Sequence, residues 1–267
     1  MKTVRVPQLG LSWEVAESLQ ELSPSQWLRW VELTGFAETG KLSVAELQLA
    51  WLMELMNLKT NGKMHPNSQQ NLGFLVQQIK GFWEETPQGL RLHTATVYNL
   101  LPRLKVNDRH FKGPALLCHD ISFGQFLEAY QVFAYYLKDQ DAEALPHLTK
   151  ALYQVPNDYL KGLEQLPAYY HKAVLHFFDA CVHHIQSAPL VISGQSIPVY
   201  KVFSGGGSGS DELPMAPVLF NVSENGVFGT AKEVKQANLF EVLQFLYNKH
   251  LQAQDLKKRN ARNRTSK

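Results

Sequence analysis

No stretch of about 18 apolar residues occurs anywhere in the 267-residue chain, so no segment reads as a membrane-spanning helix. The opening "MKTVRVPQLG" also lacks the apolar centre of a signal peptide. Cysteine is nearly missing. Cys118 and Cys181 are far apart, have no metal-ligand spacing, and fit a reducing compartment in which thiols pack as small apolar groups. These absences point to a soluble, cytoplasmic protein. Excess charge is missing too: the net value of +2 gives the molecule as a whole no electrostatic case for nucleic acid. Catalytic signatures are equally scarce. No G-x-x-x-x-G-K-[ST] loop and no G-x-S-x-G elbow are present, and carboxylate pairs such as Glu84/Glu85 and Asp211/Glu212 sit in polar turns. The expectation is a protein without a catalytic residue or cofactor.

Helix signals dominate what remains. With 45% hydrophobic, 11% aromatic and 19% charged residues, the chain can bury a sizeable core. "SPSQWLRWVELTG" offers Ser23 as N-cap, Pro24 at the first helical position, Gln26 to complete a capping box and Gly35 as a stop. "SVAELQLAWLMELM" repeats the device with Ser43 and Glu46, and Val44, Leu47, Trp51, Leu55 and Leu58 line one face. "SFGQFLEAYQVFAYYL" starts at Ser122 with Gln125 closing the box, and places Phe123, Phe126, Leu127, Tyr130, Phe133, Ala134 and Leu137 in a stripe. "DAEALPHLTKALY" and "AYYHKAVLHFFDACVHHIQ" follow, the latter with Tyr170, Val174, Phe177, Cys181 and Ile185 on one side. Thr230 with Glu233, and Asn238 with Glu241, begin the closing helices.

Strand signals are few: "TVRV", "GLRLHTATV", "RLKVN", and "PLVISGQSIPVYKVF", the last weakened by Pro198. The expected fold is therefore mainly α, a multi-helix globular protein with room for two helical lobes and a minor β ribbon. Its divisions are an N-terminal helical region with short strands (1–110), a central helical region (111–203), a Gly/Ser/Pro-rich joint (204–217), C-terminal helices (218–256) and a basic tail (257–267). The core should draw on Trp27, Leu47, Trp51, Phe123, Phe126, Tyr130, Phe133, Val174, Phe177, Leu239, Leu243 and Leu246. Trp30 and Trp83 read as core as well. Ser23-x-x-Gln26-Trp27-Leu28 and Ser122-x-x-Gln125-Phe126-Leu127 echo each other, as an old duplication or as two ordinary capping boxes would.

Three features could carry chemistry. The stretch 204–210 holds four glycines and three serines, but no lysine follows, Ser210 breaks the dinucleotide phasing, and Pro214 and Pro217 disfavour the needed helix. It reads as a connector. His176, Asp179 and His183, at i, i+3 and i+7, share one helix face opposite the apolar stripe, the spacing of a weak metal candidate or of a solvated face. The segment 249–267 carries seven cations against one acid, Asp255, a local charge of +6 that leaves −4 for 1–248. Lys257, Lys258, Arg259, Arg262 and Arg264 are the candidate partner-binding residues there. An acidic partner or nucleic acid would suit them, and so would a frayed, solubilising end.

Phe111-x-Gly113-Pro114, then Ile121-Ser122-Phe123-Gly124-Gln125-Phe126, an aromatic helix, Tyr136-Leu137, the Asp139/Asp141 turn and "LTKALY" form one block. "FGTAKEVKQANLFEVLQFL" forms a second. Together they resemble a family of tail-module proteins encoded beside tail genes in phages and prophages of Bacteroidota-type bacteria. The resemblance covers roughly the last 160 residues and carries structural patterns only. It implies a non-enzymatic tail assembly chaperone for a tape-measure or tail tube protein, or a minor structural tail component. The setting would be the bacterial or host cytoplasm, or the virion.

Overall fold

A computed structural model describes residues 1–6, 11–58, 66–87, 89–202 and 227–265. The connector at 204–210 lies outside the described residues. The chain is mainly α-helical, and its strands form small antiparallel pairs. No helix among the described residues is long and apolar enough to cross a membrane.

The N-terminal part begins with the hairpin of β1 (Lys2–Val6) and β2 (Leu11–Val15). It continues into α1 (Pro24–Glu38), α2 (Val44–Leu55) and α3 (Pro66–Val76). Both expected capping boxes form: Ser23 accepts from the Gln26 amide and Ser43 from that of Glu46, and each partner side chain returns to its cap. Gly35 does not stop α1. The helix runs one turn further, to a Thr39 cap, and the turn itself is made by Gly40 at φ 71°, which a β-carbon would strain. Val44 and Leu58, expected on the buried face of α2, are exposed. α2 ends at Leu55, so Leu58 lies beyond the periodic surface.

Among the described residues the strands make four separate hairpins where a single small ribbon was expected. β3 (Trp83–Thr86) pairs with β4 (Gly89–Leu92), while β5 (Arg103–Val106) pairs with β6 (Arg109–Lys112). "GLRL" and "RLKV" thus each take a neighbour closer in sequence. β7 (Leu190–Ile192) and β8 (Gln195–Ile197) form the last pair, with Pro198 just outside it. A division at 110/111 falls inside β6.

α4 (Phe123–Asp139), α5 (Ala144–Tyr153), α6 (Leu160–Glu164) and α7 (Ala168–Ser187) build the centre. α7 packs on both α1 and α5, and its Phe178 lies edge-on to Phe133 and tilted against Phe126 of α4. Its buried surface is accordingly wider than a single stripe and includes His171, Leu175 and Val182. Leu137, expected in the stripe, is exposed, since the buried positions of α4 end at Phe133. α8 (Ala231–Gln236) and α9 (Leu239–Thr265) close the chain. One continuous apolar cluster joins all these parts and contains every expected core residue except Leu246, which is half-buried against it. Trp30 and Trp83 are in that cluster too.

Gln125 does not complete a capping box. Ser122 caps α4 as expected, but the Gln125 amide donates to the carbonyls of Ala151 and Leu152, 3.2 and 2.9 Å away. Those carbonyls end α5 and have no intrahelical partner, so they recruit the nearest donor. Gln154, left-handed at the α5 cap, in turn donates to the Gln125 oxygen.

Candidate interaction surface

The C-terminal unit is fastened to the start of α4. The amide of Phe123 donates to the Ala237 carbonyl and that of Leu239 to the Ile121 carbonyl. Asn238 sits at this junction. Its side-chain amide donates to the His119 carbonyl, 2.8 Å away, and its oxygen accepts from the Phe240 amide. The Asn cap was legible, but its second bond, across to His119, reaches a residue remote in sequence. α8 carries the expected Thr230–Glu233 capping box and lays Lys235 over Gly124, where an added β-carbon would stand 2.8 Å from Lys235 atoms. Leu239, Val242 and Leu243 are buried, and Phe245 meets Phe228 edge to face.

Past this anchor α9 has no covered side. All residues of 251–260 are exposed, including Leu251 and Leu256. Nearly three helical turns with no buried face stand clear of the body. Lys257, Lys258 and Arg259 are exposed on them. Arg262 and Arg264 continue the same helix, with side chains outside the described residues. The basic segment is thus helical to Thr265 where a frayed end was one reading, and a division at 256/257 falls inside the helix. Lys257, Lys258 and Arg259 reach no carboxylate of the described residues at ion-pair distance.

The histidine face of α7 is mixed. Asp179 and His183 are exposed, but His176 is half-buried with its ring edge-on to Trp27, so the solvated-face reading fails at that position. Burial drives the His176 imidazole down to about 4, with Glu38 opposing and Lys172 reinforcing the shift. Partial burial raises the Asp179 carboxyl against the pull of His183. Among the described residues no three His, Cys, Asp or Glu side chains gather closely enough to hold a metal ion.

The sequence reading passed over a buried polar pair. His171 shares a 2.9 Å hydrogen bond through Nδ1 with Thr149, whose hydroxyl also lies 3.0 Å from the Leu145 carbonyl. Nε2 of His171 is buried without a hydrogen bond of good geometry, although the Leu163 carbonyl lies on its side. Burial lowers the imidazole and that carbonyl partly opposes it, so His171 is held neutral.

These two histidines set an acid limit. Their folded pKa values lie below the unfolded value of about 6.5, so the unfolded chain binds protons first as pH falls. Stability is complete above that value and is lost as pH drops toward about 4, the folded value for His176. The raised Asp179 works weakly the other way. Unfolding free energies from urea titrations at pH 7 and pH 5 should differ by about 1–2 kcal/mol for His176 after allowing for its partial exposure. His176→Gln should flatten the profile; an unchanged profile would show that another group controls it.

Two of the grooves on the described surface adjoin α4 and α5. One, of about 680 Å³, runs between α4, α5 and α8 and is lined by Gln125, Glu128, Lys150, Gln154 and Lys235. The other, of about 410 Å³, lies between the end of α4 and the start of α5 and is lined by Val132, Tyr135, Asp141, Glu143, Ala144 and His147. Tyr135 there is half exposed. Comparison of the chain with protein-family models, curated proteins and solved structures finds no match in any of the three.

Proposed function

We propose that this protein acts by binding another macromolecule, as a non-enzymatic assembly chaperone of a phage tail or tail-like particle, with the exposed half of α9 as its contact element. The observation that carries the reading is the uncovered helix at 251–260, followed by further cations. A helix with no covered side has little of its own to hold it and gains most from a partner. Its cations favour an acidic protein surface, and the Tyr135 groove offers a second, partly apolar seat for a helix of that partner. The resemblance of 111–153 and 228–246 to tail-module proteins supplies the setting, with a tape-measure or tail tube protein as partner.

The test is co-purification of that neighbouring tail protein with the full chain and with a chain ending at Leu256. The truncation removes six cations and no buried side chain of the described residues, so its melting temperature should change by no more than about 2 °C. Partner recovery at low salt should fall at least tenfold. Equal recovery would remove α9 from the interface.

The same charge favours a second reading, nucleic-acid binding through Lys257, Lys258, Arg259, Arg262 and Arg264. In that case the full chain binds duplex DNA with a log–log salt slope near −0.9 per phosphate contacted, and the truncated chain does not. Salt-insensitive binding, or binding that survives truncation, would eliminate it.

A further inference from the structure

Cys118 and Cys181, distant in sequence, meet in the core. Cys118 ends the short 3-10 turn Leu116–Cys118, and Cys181 lies in the middle of α7, on which that turn packs. Both are free thiols and fully buried. Burial, and then the neighbouring Cys181 thiol, push the Cys118 thiol well above its ordinary range; Asp120 adds to the effect. Such a site does not make a nucleophilic thiolate for catalysis. It places two sulfurs together without a bond between them.

The turn that carries Cys118 is itself under tension. Leu117 and Cys118 have φ of 54° and 58°, two consecutive left-handed residues that are not glycine. The turn is held by the Leu117 amide on the Val97 carbonyl and the Cys118 amide on the Ala115 carbonyl, each 3.0 Å. Leu116, at its start, is 40% exposed. Backbone held in a costly conformation at the surface opens more readily than the packed helices around it, which gives a small oxidant a way in.

We propose that Cys118 and Cys181 are a redox pair that closes to an intramolecular disulfide under a peroxide-class oxidant and staples the 116–118 turn to α7. One thiol, deprotonated during opening, attacks a peroxide oxygen and becomes a sulfenic acid as the O–O bond breaks and the first water leaves. The second sulfur displaces that hydroxyl, its proton leaving with it as a second water. Two S–H bonds are lost, one S–S bond forms, and one hydrogen peroxide is reduced to two waters. A dithiol reverses the step. The loop closed by the bond is long, so the oxidised form resists unfolding better than the reduced one.

The test exposes the full chain to hydrogen peroxide, blocks remaining thiols with an alkylating reagent and measures intact mass. A parallel sample is treated in urea below the unfolding transition, so that access to the site does not limit the reaction. The expected product is a monomer lighter by two hydrogens, unalkylated, with one linked peptide pair containing Cys118 and Cys181. Dithiothreitol restores both thiols, and the oxidised form melts several degrees higher. Cys118→Ser and Cys181→Ser each abolish the product. Two alkylatable thiols in both samples, over-oxidised single cysteines, or a disulfide between two chains would each overturn the proposal.

Discussion

Trp30→Ala should lower stability by about 4 kcal/mol, the largest loss expected from a single substitution in the described residues. Trp30 is fully buried on α1, with its ring 4.9 Å from Trp51, 5.5 Å from Phe82 and 6.4 Å from Trp83. These rings come from α1, α2 and the 80–83 segment, so the indole is where three parts of the N-terminal half meet. Its Nε1 also donates to the His93 carbonyl at 2.8 Å. Alanine would leave a cavity that rigid aromatic neighbours fill poorly, and would strand that carbonyl. Trp30→Phe keeps most of the packing but loses the hydrogen bond, and should cost roughly half as much. Urea denaturation of the three proteins measures both steps. A loss under about 1 kcal/mol for Trp30→Ala would show that the cluster repacks freely.

Gly113→Ala should cost about 3 kcal/mol without changing any exposed residue. Gly113 follows β6, and a β-carbon there would stand 2.6 Å from both the Tyr153 ring and the Asn99 side-chain nitrogen. Neither can easily move. Tyr153 is buried at the end of α5 and donates to the Leu101 carbonyl at 2.6 Å; Asn99 donates to the Pro114 carbonyl at 2.7 Å. The methyl group must break one of these bonds or push α5 away from the β5–β6 hairpin. The Phe111-x-Gly113-Pro114 pattern therefore has a packing cause. Gly113→Ala combined with Tyr153→Leu should recover part of the loss, because the colliding ring is gone. Thermal denaturation decides: if the single variant melts with the parent, the approach of ring and backbone is looser than described.

What the sequence made legible was local. The Ser23, Ser43 and Thr230 boxes close over three residues, and each formed as the spacing required. The apolar periodicity of α1, α4 and α7 identified the core because those helices bury most of one side. The reading failed where a distant element competed for a group. Gln125 was spent on the end of α5, and β3 and β6, which carried no strand signal of their own, form as the hairpin partners of β4 and β5. His176 belonged to a polar face by spacing, yet α1 brings Trp27 against it. The meeting of Cys118 and Cys181 has no local signature, since it follows from how the 116–118 turn lies on α7. Of the candidate interaction surface, the cations could be counted in advance. That they would stand on a helix uncovered on all sides could not, because composition favours a frayed end equally well.

That uncovered helix also divides the molecule electrically. From residue 251 to 265 it spans about 20 Å, more than twice the screening distance of roughly 8 Å in physiological salt. Charges elsewhere on the described body are therefore screened from Lys257, Lys258 and Arg259, and the small total of +2 understates the positive charge a partner meets at this helix. To an approaching partner this helix is a positive tip, and the negative end of its own macrodipole is masked by those cations. An acidic target would meet the molecule at that tip first and already oriented, while a basic one would be turned away from it.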